Sequence, residues 1–72
     1  LTIGEEQAVG ERWAELVGER IARVARCTKV ERGVVHVQVE SATWRHELAY
    51  LKATLLDRIR RQCNSIKELV LY

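Results

Sequence analysis

The sequence predicts a small α+β domain with the element order α-β-β-α-β, in which helices pack on one face of a three-stranded sheet. Two long segments carry apolar residues at steps of three and four, which is typical of amphipathic helices. Between them, Val35, Val37 and Val39 alternate with polar residues, which indicates a strand with one face in solvent. The chain is expected to form one domain, residues 1–72, and Leu1 in place of methionine suggests a fragment of a longer protein.

The first helix is predicted as one element over residues 2–27, with an apolar stripe that includes Trp13, which we assign to the core. Thr2 followed by Glu5 matches a capping box, in which each side chain bonds to the other residue's backbone N–H. Gly18 lies beside the stripe, and we expect it to let another backbone approach closely.

Three strands are predicted. A short strand over residues 27–30 and a second over residues 35–39 flank Arg32-Gly33, and such a break between two apolar runs is typical of a hairpin turn. The third strand covers residues 69–72, where a continuous apolar run favours burial on both faces of the sheet.

The second helix begins after Ser41 or Thr43, either of which can accept a hydrogen bond from a free backbone N–H at the helix start. We expect it to end near residues 63–64, with Asn64 in the left-handed conformation that often follows a helix. The predicted apolar stripe of this helix contains Trp44, Leu48, Leu51, Leu55 and Ile59, widened by Ala49 and Leu56.

Charge is distributed unevenly along the chain. The net charge is +2, but residues 1–40 hold seven acids and six bases, whereas residues 41–72 hold three acids and six bases. Half of the bases in the second part, Arg58, Arg60 and Arg61, fall in one short stretch. A basic segment of this kind indicates a nucleic-acid partner.

The residues that enzyme chemistry needs are not grouped in this sequence. His36 and His46 have no serine or cysteine at a spacing that suggests a catalytic pair, and we interpret both as surface residues. The sequence shows no glycine-rich phosphate loop and no cluster of metal ligands. We therefore expect no catalysis, no cofactor and no metal.

Cysteine usage and hydropathy indicate the cellular compartment of the protein. Cys27 and Cys63 form no CxxC or Cys-His motif, which favours free thiols in a cytoplasmic protein and leaves a disulfide as the alternative. No apolar run approaches the roughly 20 residues that cross a bilayer, so no membrane partner is expected.

The element order, with arginines at the end of the second helix, resembles K-homology domains. Those domains hold single-stranded nucleic acid with a GxxG loop. This chain has Gly10-Glu-Arg-Trp and Gly18-Glu-Arg-Ile, and both lack the second glycine. We expect a K-homology-like fold without that clamp.

From about residue 13 to residue 72 the chain carries a series of motifs in a fixed order and spacing. They are Trp13, Val17-Gly18, Ile21-Ala22, Gly33, residues 35–39, Ser41, Trp44, Glu47-Leu48, Leu51, Leu55 and Leu69. This pattern resembles the DciA family of bacterial replicative-helicase loaders. Two local departures concern turns: Cys27-Thr28-Lys29 stands where members often carry a proline, and Asn64 where they often carry a glycine.

This resemblance implies a non-enzymatic adaptor that touches the replicative DNA helicase and single-stranded or forked DNA. Arginine and lysine would contact phosphates, and each candidate has a solvated helix face as its alternative. The candidates are Arg45, Lys52, Arg58, Arg60 and Arg61, with Arg12, Arg20, Arg23 and Arg26 as a second set on the first helix.

Trp44 and Glu47 are the candidate partner contacts. Core packing is the favoured role for Trp44, and its place at a helix start also leaves a ring edge for a partner or a stacked base. Two other functions stay open: a protein-interaction module that binds no nucleic acid, and an RNA-binding K-homology-like domain. The oligomeric state is not predicted.

Overall fold

The computed structural model describes residues 5–72 and confirms the α+β class and the predicted order of helical and strand regions. The N-terminal helical region consists of three short helices, and a three-stranded sheet and one long helix follow. The elements are α1 (Glu5–Glu11), α2 (Trp13–Val17), α3 (Glu19–Val24), β1 (Ala25–Glu31), β2 (Val34–Val39), α4 (Ala42–Gln62) and β3 (Glu68–Leu71).

The prediction of one helix over residues 2–27 is wrong. Helices α1 and α2 are nearly continuous, because the Arg12 N–H donates to the Ala8 carbonyl at 2.9 Å and the Arg12 carbonyl accepts from Leu16 at 3.0 Å. Gly18 then ends α2 with φ +96°. A Cβ at Gly18 would meet nothing within 4 Å, so the expected close approach of a backbone is also wrong. Thr2 of the predicted capping box lies outside the described residues.

The sheet has the strand order β1-β2-β3. Strands β1 and β2 are antiparallel, with a bulge between Cys27 and Lys29, and β2 and β3 are parallel. Arg32 and Gly33 form the predicted hairpin turn with φ of 53° and 81°. Two positive φ angles in a two-residue turn are typical of type I′, whose twist matches that of the flanking strands.

The turn also supports the third strand. The Gly33 carbonyl accepts hydrogen bonds from the backbone N–H groups of Lys67 at 2.7 Å and Glu68 at 3.2 Å. A Cβ at Gly33 would lie 2.8 Å from the Ser65 carbonyl oxygen. Glycine is therefore required here both by the dihedral angle and by the neighbouring backbone.

The core lies between one face of the sheet and the helices. Val35, Val37 and Val39 are buried, which confirms the predicted alternation of β2. Trp13 is buried as predicted, and its indole N–H donates to the Ala25 carbonyl at 2.8 Å. The helical side of the core includes Val9, Leu16, Val17, Leu48, Leu55 and Ile59.

Three expectations about the C-terminal half are wrong in detail. Leu51 is 40% exposed, because the buried stripe of α4 is narrow and holds Leu48, Leu55 and Ile59; Ala49 is exposed as well. Asn64 has no positive φ, and the residue that follows α4, Cys63, has φ −146° and ψ 89°. Strand β3 is an edge strand, so Leu69 is buried while Val70 and Leu71 are only half-buried.

Candidate nucleic-acid interface

Helix α4 positions most of the predicted site residues. Ser41 caps it by accepting a hydrogen bond from the Trp44 N–H at 3.1 Å. Of the two capping residues that the sequence allows, the helix therefore uses Ser41 and not Thr43. Its 21 residues span about 30 Å, and its buried stripe leaves most of its circumference in solvent. Successive residues rotate by about 100°, so the side on which each cation lies follows from its position.

Arg45 and Lys52 lie on the same side of α4, about 20° apart and two turns from each other. The Lys52 amine is 3.4 Å from the Glu68 carboxylate, so this side of the helix borders β3. Within residues 5–72, Arg45 forms no ion pair.

The Glu68 carboxylate forms an ion pair with Lys52. One carboxylate oxygen accepts a hydrogen bond from the Leu69 N–H at 2.8 Å. That bond, followed by the nearby Lys52 ammonium, lowers the pKa of the Glu68 carboxyl from its ordinary value. Glu68 is therefore ionised at neutral pH and offsets the charge of Lys52.

Arg58, Arg60 and Arg61 do not form one patch. Arg58 and Arg60 point about 160° apart around the helix, although only one residue separates them in sequence. Arg61 pairs with Asp57 at 3.1 Å on the solvent side. All three arginines are exposed. Arg60 and Arg61 line one groove of about 400 Å³ together with Asp57, whereas Arg58 lies outside that groove.

Trp44, Glu47, Leu51 and Arg58 lie within about 60° of one another around α4, and we call this set the Trp44 flank. Trp44 is half-buried and packs against the core, so the packing role is confirmed. Glu47 and Leu51 are exposed beside it. The flank thus presents an aromatic edge, a leucine and two charges to solvent. The sequence analysis did not identify Leu51 as a surface residue, because Leu51 has the same helical spacing as the core residues of α4.

The second set of arginines is also dispersed. Arg12 pairs with Glu15 at 3.2 Å, and Arg20 is exposed on α3. Arg26 was expected on the first helix but lies in β1, because the strand starts at Ala25. There it lines a groove of about 300 Å³ together with Arg23, Gln38 and Glu40.

The sheet face opposite the core brings together residues that the sequence did not single out as a group. His36 and Tyr72 stack, with ring centroids 5.8 Å apart and planes 11° from parallel. The Tyr72 hydroxyl also hydrogen-bonds to His36 Nδ1. The alternation of β2 placed His36 and Gln38 on this face, but Tyr72 comes beside them only because the pairing with β3 continues to Tyr72, whose backbone bonds to Val37 and Val39.

Other chemistry is limited in the part of the chain that is described. Cys27 and Cys63 form no disulfide with each other, and partial burial raises the pKa of the Cys27 thiol, which disfavours the reactive thiolate. Residues 5–72 contain no group of three or more His, Cys, Asp or Glu side chains that could hold a metal ion. Over the same range, no helix has both the length and the apolar character needed to cross a membrane.

Comparison with known proteins gives a consistent result. The family model described as "Dna[CI] antecedent, DciA" matches residues 3–71. The UPF0232 proteins of Mycobacterium tuberculosis H37Rv and Mycobacterium bovis BCG are each 37% identical to this chain over 57 residues, or 79% of it. That alignment covers 30% of each mycobacterial protein, so the chain matches less than a third of their length.

Proposed function

Because this chain belongs to the DciA family, we propose that it is a non-enzymatic, cytoplasmic adaptor that helps to load the bacterial replicative helicase onto DNA. The observation that carries the proposal is the family match, which extends over residues 3–71. The family description, an antecedent of Dna[CI], supports the replicative helicase as the partner. No cofactor, metal or membrane enters this activity.

We assign the DNA contact to cations of α4. Such contacts neutralise phosphates and release counterions, so they are independent of base sequence and weaken steeply as salt rises. The assigned residues are Arg45, Lys52, Arg58, Arg60 and Arg61.

We assign the helicase contact to the Trp44 flank. An aromatic edge beside an exposed leucine, with charges at the margin, has the composition of a small protein interface. Trp44 supplies the anchored aromatic ring, Leu51 the accessible apolar surface and Glu47 a charge that can select a basic partner.

A second candidate function is a protein-interaction module that binds no nucleic acid. The separation of Arg58 from Arg60 and Arg61 favours it, because cations on different sides of a helix offer no continuous path to one phosphate backbone. An RNA-binding K-homology-like role has less support, since neither Gly10 nor Gly18 begins a GxxG motif.

Fluorescence-anisotropy titration tests the DNA contact. A labelled single strand and a forked duplex are each titrated with the protein at two salt concentrations. We expect binding that weakens steeply with salt and that is further weakened when Arg45, Arg58 and Arg60 are replaced by alanine together. Absence of binding at low salt would remove the DNA contact and favour the protein-interaction module.

Binding to the purified replicative helicase tests the Trp44 flank separately. Leu51→Glu places a charge on the flank, and Ala53→Glu places the same charge about 160° away on another exposed side of α4. We expect Leu51→Glu to weaken helicase binding and Ala53→Glu to leave it unchanged, as measured by calorimetry. Equal effects of the two variants would contradict the assignment.

A further inference from the structure

The open face of the sheet, opposite the core, is arranged in two rows across the strands. Arg26 of β1 pairs with Gln38 of β2. Tyr72 continues the ladder beside Gln38, because its N–H donates to the Val37 carbonyl at 2.9 Å and its carbonyl accepts from Val39 at 3.0 Å. In the neighbouring row, Lys29 pairs with His36, and His36 pairs with Val70.

The aromatic part of this face is held in place before any ligand arrives. The stacking and the hydrogen bond between Tyr72 and His36 fix the orientation of the phenol ring. Tyr72 is nevertheless 51% exposed, so much of its ring remains accessible. An ordered, accessible aromatic ring is the element on which proteins stack unpaired bases, because every base has a π-face.

The basic part of the face is available for a phosphate. Arg23 and Arg26 line the groove at the edge of the first row, and among the described residues neither forms an ion pair. Glu40 also lines this groove, so a phosphate would lie toward the arginines. The backbones of β1 and β3 are about 10 Å apart across β2, which places Arg26 within one nucleotide's reach of Tyr72.

We propose that this open face binds single-stranded DNA, with one base stacked on Tyr72 and an adjacent phosphate contacted by Arg26. This inference rests on the proposed function, since it names where a single strand is held while the helicase is loaded. Arg23, Arg26 and the stacked ring favour nucleic acid over a protein partner, for which the rows offer little apolar surface. Lys29 of the second row is paired with Glu31 at 3.5 Å, so the arginines supply the charge for a phosphate. The amide of Gln38, between Tyr72 and Arg26, can hydrogen-bond to the edge of the base.

Anisotropy titration of a labelled oligothymidine with the purified protein tests the proposal. Tyr72→Leu removes the stacking ring, and we expect affinity to fall about 5- to 150-fold, the range for the loss of one stacked base. Tyr72→Phe keeps the ring and should retain most of the affinity. Arg26→Gln should lower the salt slope by about one. Tyr50→Leu removes an exposed tyrosine from α4 instead, and a loss of affinity as large as that of Tyr72→Leu would overturn the assignment to the sheet face.

Cross-linking with an iodouracil-substituted oligonucleotide locates the contact directly. A cross-link at Tyr72 supports the proposal, and cross-links confined to α4 overturn it while leaving DNA binding by the adaptor intact. If Tyr72→Leu and Arg26→Gln bind like the unaltered protein while the triple α4 variant does not, the sheet face is again excluded. If the unaltered protein binds no single strand at low salt, the DNA contact of the proposed function fails as well.

Discussion

Helix α4 and the open face of the sheet both carry basic side chains, but they assemble them in opposite ways. On α4, Arg58 and Arg60 are close in sequence and point to different sides of the helix. On the sheet, Arg26 and Tyr72 are far apart in sequence, yet they fall in one row because both flank Gln38. Strand pairing therefore built a compact surface from scattered residues, whereas the helix dispersed a compact stretch of sequence.

The largest loss of stability is expected from a substitution in the core, which supports both surfaces. Trp13→Ala removes a buried ring and its hydrogen bond to Ala25, which should lower the free energy of unfolding by about 3–5 kcal/mol. Trp44→Ala is the matched comparison, because Trp44 is only half-buried and should cost less. Urea unfolding measures both, and equal losses would contradict the assigned packing.

A smaller loss of stability, caused by a substitution near β3, should affect the sheet face more than α4. Gly33→Ala strains a residue with φ of 81° and crowds the Ser65 carbonyl, so we expect a loss of about 1–3 kcal/mol. The disturbance lies where β3 joins the sheet, so binding at Tyr72 should be weakened more than binding at α4.

Gly10→Ala is the control. Gly10 lies inside α1 with open space beside it, and alanine should stabilise the helix slightly. Destabilisation by both variants would refute this reading.

The dispersion on α4 predicts additive losses in DNA binding. Alanine at Arg45, Arg58 or Arg60 should each reduce the salt slope of binding by about one. Double variants should match the sum of the single variants within about 0.3–0.5 kcal/mol, because the side chains share no partner. Titration at several salt concentrations measures this. Strong non-additivity would mean that these arginines act as one patch after all.

The smallest effect concerns the ion pair between α4 and β3. The pKa of Glu68 is lowered in the folded protein, so its charge stabilises the fold at neutral pH, and that contribution is lost as pH falls below the ordinary value of 4.5. Glu68→Gln should therefore be slightly less stable than the unaltered protein at pH 7 and equal to it in strong acid. Thermal unfolding between pH 2 and about 7 measures the difference, and a difference that is constant with pH would contradict the assignment.

Local periodicity was sufficient for most of the fold. The alternation of Val35, Val37 and Val39 and the spacing of Leu48, Leu55 and Ile59 reflect direct contact with the core, so they predict β2 and α4. Gly18 was misread because one backbone dihedral can break a helix without interrupting the apolar period. Leu51 was predicted to be buried because it follows the three- and four-residue spacing of the apolar stripe. It is exposed because it lies outside the narrow stripe of α4 that packs against the core.

The candidate site was predicted less completely than the fold. Trp44 and the cations of α4 could be selected from sequence, since a helix has a fixed rotation per residue. Tyr72 could not be placed beside His36, because their proximity depends on the parallel register of β2 and β3. A pairing between distant segments leaves no local pattern in either of them.

The hairpin turn also bears on the order in which the molecule folds. Val34 pairs with Glu68, so β3 reaches the sheet only after the chain has closed a long loop through α4, whereas β1 and β2 are joined by two residues. Contacts between distant segments form slowly, because the entropy of loop closure is spent before they are made. We expect the hairpin to form early and β3 to join late, with the Gly33 carbonyl as the docking point that sets its register.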